Sequence, residues 1–217
     1  MTASNPSAIQ IRPATASDVD AALPLIYSSG PLVWDFLFGD GSAESSMPYL
    51  RRAWISGRGV AGYRWHWLAE VDGQVLGSIS VYSGVEYSQL SNQTAWQVLR
   101  YFDFGSVGRI RRMLQFGKYL MPAPAKHIDY VANLGVAEAS RGMGVGSALL
   151  SHFEQRAVTR GKRYYELDVA TNNPLAQALY ERFGMSVHKA RDYPPFSQRG
   201  LPGCRRMRKD LSTNEPS

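Results

Sequence analysis

The sequence predicts one mixed domain, α+β or mixed α/β in class: a central twisted sheet of about six to seven parallel and antiparallel strands, flanked by helices. Three observations carry this. The runs Trp67 to Val71 and Val75 to Tyr82 are β-rich and joined by Asp72-Gly73, a two-residue turn signal, so they form an antiparallel hairpin. "HIDYVANLGV" leads through a glycine-rich turn into an amphipathic helix and then into "YYELDVA", a strand–helix–strand unit whose strands run parallel. Two more strand-like runs, "MSVHKARDY" and "CRRMRKDL", close the chain around the loop "PPFSQRGLPG".

The remaining elements follow in order. "IQIRP" reads as a short strand, and Ser17 is positioned to cap a helix whose apolar rhythm is Val19, Ala22, Leu23 and Ile26. Gly30 to Gly59 is rich in large aromatics, among them Trp34, Phe36, Phe38, Tyr49 and Trp54, and reads as a broken helix pair. Between Val85 and Lys126 the pattern is helical again, with Ala95, Trp96, Leu99 and Phe102 on one stripe and Val107, Ile110, Met113 and Leu114 on another. This is an inserted helical pair, and its Arg109, Arg111 and Arg112 read as a solvated face. After the glycine turn, the inward stripe is Val145, Leu149, Phe153 and Ala157, closed by Gly161. In "NNPLAQALYERFG" Asn173 is the N-cap, Pro174 the first helical residue, and Gly184 lies past the end. The domain is expected over residues 9–211, with disordered ends at 1–8 and 212–217.

Composition bounds the function. A chain of 217 residues with 44% hydrophobic content buries one full core. No run approaches the ~20 apolar residues that span a bilayer, and the N-terminus has no apolar signal region, so the expectation is a soluble, cytoplasmic chain with no membrane partner. The lone Cys204 cannot form an internal disulfide. The four histidines show no ligand spacing, and no metal is expected. The net charge of +6 is scattered along the chain, and a phosphate-bearing small molecule explains it about as well as nucleic acid does; no nucleic-acid partner is expected.

The phosphate site is "RGMGVG", Arg141 to Gly146: a bare turn opening onto a helix, where unpaired N–H groups and the positive helix end converge. A dinucleotide fold would also use Gly142, Gly144 and Gly146, with Asp168 downstream, but it needs several strand–helix–strand units and only one is visible. The run resembles instead the Q/R-x-x-G-x-G/A phosphate motif of the GNAT acetyltransferase superfamily, filled by Arg141, Gly142, Met143, Gly144, Val145 and Gly146. A second element follows in the family's order: Asn173, Ala176, Leu179, Tyr180, Gly184 and Met185 match its Asn-x-x-Ala-x-x-Leu-Tyr run, with Met185 where an aromatic residue is more usual. The resemblance extends more weakly from Ile9 to Leu211 and leaves out the insertion 85–126.

The resemblance implies a GNAT fold with two splayed parallel strands and acetyl-CoA as acyl donor. It implies pyrophosphate held by Arg141 to Gly146, the pantetheine arm along Leu134 and Val136, and Asn173 and Ala176 on the other side. Tyr180 would protonate the departing thiolate, and the Val136 N–H would polarise the thioester carbonyl. The acceptor is a primary amine of a small molecule or a protein; its ammonium must lose a proton, and Asp129 and Glu166 are the candidate bases, beside a water chain. A non-catalytic acyl-CoA-binding regulator is the alternative, against which Tyr180 speaks, since binding alone needs no proton donor. The acceptor pocket is expected from Leu32 to Trp54 and Pro194 to Gly203, with the inserted helices as a lid or as the contact of a homodimer.

Overall fold

The computed structural model describes residues 8–103 and 106–212. The expected disordered ends thus fall, except for Ala8 and Ser212, outside the described residues. Among the described residues, seven strands form one mixed sheet in the order β1-β2-β3-β4-β5-β7-β6. They are β1 (Gln10–Pro13), β2 (His66–Val71), β3 (Gln74–Ser83), β4 (Ile128–Val136), β5 (Tyr164–Ala170), β6 (Ser186–Arg191) and β7 (Cys204–Asp210). Only β4 and β5 pair in parallel; every other neighbouring pair is antiparallel. The β2–β3 hairpin turns at Asp72 and Gly73, whose φ of 51° and 77° are those of a primed two-residue turn.

Two layers of helix cover the sheet. On one face lie α1 (Val19–Ser28), α2 (Pro31–Phe38) and α3 (Ala43–Ser56), with the inserted α4 (Gly84–Phe102) and α5 (Ser106–Tyr119) beside them. On the other lie α6 (Val145–Thr159) and α7 (Pro174–Arg182). The α6 stripe Val145, Leu149, Phe153 and Ala157 is buried as its period requires. Val19, Ala22, Leu23 and Ile26 of α1 are buried too, but the chain enters that helix differently: the Asp18 carboxylate accepts the Thr15 N–H at 2.7 Å, which makes Thr15, not Ser17, the opening residue.

The inserted helices are where apolar pattern misleads. Trp96 and Leu99 are exposed, and α4 is anchored by Leu90, Thr94 and Val98. Thr94 belongs on that stripe because its hydroxyl donates to the Leu90 carbonyl (2.9 Å) and accepts the Val60 N–H (3.0 Å), leaving no bare polar atom in the core. On α5, Val107 and Leu114 face outward while Ile110, Met113 and Phe116 pack inward. Arg109 and Arg112 are not a solvated face: their guanidinium groups lie over the rings of Phe102 (3.9 Å) and Phe36 (5.4 Å). The bent α1–α2 pair is apolar enough to span a membrane by composition alone, yet its side chains form the core of this domain.

Much of the C-terminal positive charge is neutralised inside the fold. Cross-strand register sets Glu166 opposite Arg208 and Asp168 opposite Arg206, so an acidic-x-acidic run in β5 meets a basic-x-basic run in β7. Lys209 reaches Glu154 on α6 at 2.7 Å.

Candidate active site

The glycine turn has two kinds of glycine in it. Gly142 and Gly144 both hold φ of 82°, the left-handed region, and a Cβ at either would meet no atom within 4 Å. Their role is conformational: they turn the chain and leave backbone facing open space. Gly146 is helical and buried, and its missing Cβ lies 3.4 Å from Leu179 and 3.6 Å from Val136, so it brings α6 onto α7 and β4. The first α6 hydrogen bond runs from the Ala148 N–H to the Gly144 carbonyl (2.9 Å), so N–H groups of the opening turn have no partner within the helix. Arg141 and Met143 are exposed at the mouth of this turn, and Val145 is buried, offering only its backbone. The cradle fits a phosphate group by shape and dipole.

The parallel strands diverge just below it. Pairing of β4 with β5 runs from Ile128 opposite Tyr164 to Val131 opposite Leu167 and stops there, although β4 continues to Val136 and β5 to Ala170. A bulge marks the break: Ser78 of β3 faces Gly135 and Ser80 faces Ala132, with Asn133 between at a φ of 47°. Gly135 is obligatory there, because a Cβ would stand 2.0 Å from the Leu25 carbonyl oxygen of α1. The β4 edge carrying Leu134 and Val136 is therefore unpaired on its β5 side. Asn133 reaches toward the buried His66, Nδ2 to Nε2 at 3.4 Å, and the ring's Nδ1 donates to the Gly62 carbonyl at 3.0 Å; burial pulls this imidazole down to about 4.

Asn173 caps α7, its Oδ1 accepting the Ala176 N–H at 3.1 Å. Leu175 is exposed and does not pack on the sheet, contrary to the helical stripe it shares with Leu179; only Leu179, one turn later, reaches α6. Tyr180 is buried, and loss of water pushes its phenol up to about 12, so it remains a proton donor across the neutral range.

A cavity of about 210 Å³ joins the splay of β4 and β5 to Tyr180. Tyr180, Leu134, Val131 and Leu167 line it at the splay; Trp34 and Phe38 of α2, then Tyr87, Thr94 and Phe116 of the inserted helices, close it on the far side of the sheet. It thus passes between β4 and β5 from one helical layer to the other. The insertion is a wall of this cavity. No residue from 194 to 203 lines it: Phe196 packs edge-on against Phe36 (4.9 Å), and Tyr193 stacks on Tyr119 (4.2 Å), so that loop props α2 and α5 from behind.

The candidate bases are not brought together with Tyr180. Asp129 points to the α6 side, beside Arg160 (3.5 Å) and Lys162 (3.6 Å), and borders a separate cavity with Glu86 and Arg156; burial raises its carboxyl against the pull of both cations. Glu166 is buried under Arg208 (2.5 Å) and Arg206 (3.7 Å). Neither lines the Tyr180 cavity, and both serve as ion-pair partners. Among the described residues, Asp168 is the carboxylate on its wall, held by Arg206 (2.5 Å) and by the Tyr130 hydroxyl (3.0 Å). Strand alternation had the information: Asp168 shares the face of Glu166 and stands two residues nearer the splay. Tyr82 and Tyr130 are also on the wall: Tyr82 reads as core because a strand tyrosine looks like core, whereas Tyr130 neighbours the candidate base Asp129 and strand alternation turns it to the opposite face. No group of three or more His, Cys, Asp or Glu side chains among the described residues is arranged to hold a metal.

Solved structures share this architecture. An N-acetyltransferase from Staphylococcus aureus Mu50 matches with a TM-score of 0.66 at 19% identity, over 92% of this chain and 100% of that one. A structure described only as an acetyltransferase gives 0.62 at 20% identity, over 94% and 100%. The ribosomal-protein-S18-alanine N-acetyltransferase from Escherichia coli gives 0.53 at 16% identity, over 94% and 95%. No curated protein matches the sequence. The family model described as "Acetyltransferase (GNAT) family" matches residues 32–185, which span the glycine turn, the splayed strands and Tyr180. By that match over most of its length, the chain belongs to the GNAT acetyltransferases and is a transferase.

Proposed function

We propose that this enzyme moves an acetyl group from acetyl-CoA to a primary amine by direct attack. The observation that carries the reading is the single cavity linking Tyr180, the open edge of β4 and the chamber under α4 and α5. Acetyl-CoA would supply an activated acyl group on sulfur. Backbone N–H groups from Arg141 to Gly146 hold its pyrophosphate, with Gly142 and Gly144 keeping side chains out of the way. Leu134 and Val136 offer backbone groups to the pantetheine arm, and Asn173 and Ala176 flank it from α7; the Val136 N–H polarises the thioester carbonyl.

Balance requires that a C–N bond form as a C–S bond breaks, that nitrogen lose a proton and that sulfur gain one. Tyr180 donates to the sulfur; with its phenol near 12 it is never ionised at neutral pH. For the nitrogen, the wall carries no lysine, arginine or histidine among the described residues, and Asp168 already accepts from Arg206 and Tyr130. Removal of the ammonium from water into an apolar chamber lowers its pKa, and a water molecule carries the proton away. Tyr180→Phe tests this. Acetyl-CoA affinity by calorimetry should change by less than about threefold while turnover falls by about 10–10⁴-fold; unchanged turnover removes Tyr180 from the mechanism, and a thermal shift with NAD but not with acetyl-CoA removes the donor.

A further inference from the structure

The chamber beyond the splay is specific in its chemistry. Its rings come from five different elements: Trp34 and Phe38 of α2, Tyr82 of β3, Tyr87 of α4, Phe116 of α5 and Tyr130 of β4. The three tyrosines form a run, Tyr82 lying 5.7 Å from both Tyr87 and Tyr130. Aliphatic side chains such as Val33, Leu37 and Met113 fill the gaps. Hydroxyls, not charges, supply most of the polar contacts: those of Ser29, Ser91 and Thr94, and the phenols. No cationic side chain among the described residues lines the cavity, and its one carboxylate is bound to Arg206.

We infer that the acceptor is a small primary amine carrying a single aromatic ring and no acidic group, an arylalkylamine in class. This deepens, and rests on, the acetyl-transfer reading. Size comes first. An apolar cavity of about 150 Å³ accommodates benzene; the 210 Å³ here is shared between the acyl end of the donor at the splay and the chamber beyond it, which leaves space for a single ring on a short aminoalkyl arm. Charge comes second. An acceptor with its own carboxylate or phosphate would bury an anion against phenols and aliphatic carbons with no cation to meet it. A polyamine fails for the converse reason, since its further ammonium groups would find one carboxylate already paired. An arylalkylamine instead places its ring among rings, and its lone nitrogen can be held over a phenol face or by the hydroxyls before it attacks.

The decisive contrast is between two amines that differ by one group. We expect kcat/KM for 2-phenylethylamine to exceed that for L-phenylalanine by about 100-fold or more, with spermidine and a peptide bearing a free N-terminus weaker still. Calorimetry on the CoA-loaded enzyme should show the same order in affinity, independent of turnover. Equal or better use of L-phenylalanine, spermidine or the peptide overturns the inference while leaving acetyl transfer standing; an enzyme that does not bind acetyl-CoA overturns both. Ser91 is half-buried on the α4 wall, so Ser91→Lys adds a cation without opening the core. It should narrow the preference at least ~10-fold, with acetyl-CoA affinity unchanged. A ratio that does not move counts against the proposed wall.

Discussion

β4 and β5 begin as neighbours and end apart, and the two halves of that pair make opposite use of the same residue types. In the paired half, Asp129 and Glu166 are buried carboxylates tied to Arg160, Lys162, Arg206 and Arg208, and their work is to hold strands and helices together. In the splayed half, β4 bulges at Asn133, its edge loses its partner, and the space between the strands becomes the cavity that reaches Tyr180. Asp168, beyond Leu167, is ion-paired like the other two but borders the cavity, as Asp129 and Glu166 do not. Identity as Asp or Glu says little.

The comparison can be broken at several points. The largest effect belongs to the paired half: Glu166→Gln leaves Arg208 without its anion and Arg206 with Asp168 alone, and should cost about 3–5 kcal/mol, read as a lower urea midpoint. In enzyme that remains folded, kcat should stay within a few-fold of the parent, because Glu166 does not border the cavity. A loss of orders of magnitude in kcat without loss of stability would restore it as the base.

A smaller effect is expected at the hinge between the halves, where His66 backs Asn133. Its imidazole is held down to about 4 against 6.5 in the unfolded chain, so below 6.5 the unfolded state takes up the proton first. Stability therefore falls as pH drops from 6.5 toward 4, by up to about 3 kcal/mol, and is flat above 6.5 as far as this residue is concerned. His66→Gln should flatten that slope in a series of thermal melts; an identical slope would mean that the histidine does not contribute. Smallest in stability is Gly144→Ala, which forces a side chain into the left-handed region for about 1–2 kcal/mol and should weaken acetyl-CoA binding more than it weakens the fold.

Much of this was legible in the sequence where local rules act. The Asp72-Gly73 turn, the α6 stripe and the Asn173 cap each depend on a few adjacent residues, and each appears as expected; of the three motif glycines, Gly142 and Gly144 make the turn while Gly146 packs against α7 and β4. What was not legible depends on distant neighbours. Thr94 counts as polar until Leu90 and Val60 satisfy its hydroxyl, and Trp96 counts as core until α4 is seen to turn it outward. The site divides in the same way. Tyr180 lies within a contiguous motif, whereas Asp168, Tyr82 and Tyr130 meet only because β3, β4 and β5 are neighbours. Residues 194–203, expected to build the acceptor pocket, do not line this cavity for the same reason: the insertion, which sequence could not seat, occupies that wall.

The most direct test is a crystal structure of the complex with coenzyme A. The account predicts the pyrophosphate against Gly142 and Gly144, the arm along the free edge of β4, and the sulfur within hydrogen-bond reach of the Tyr180 hydroxyl. Coenzyme A bound elsewhere, with the gap between the two strands empty, would contradict it.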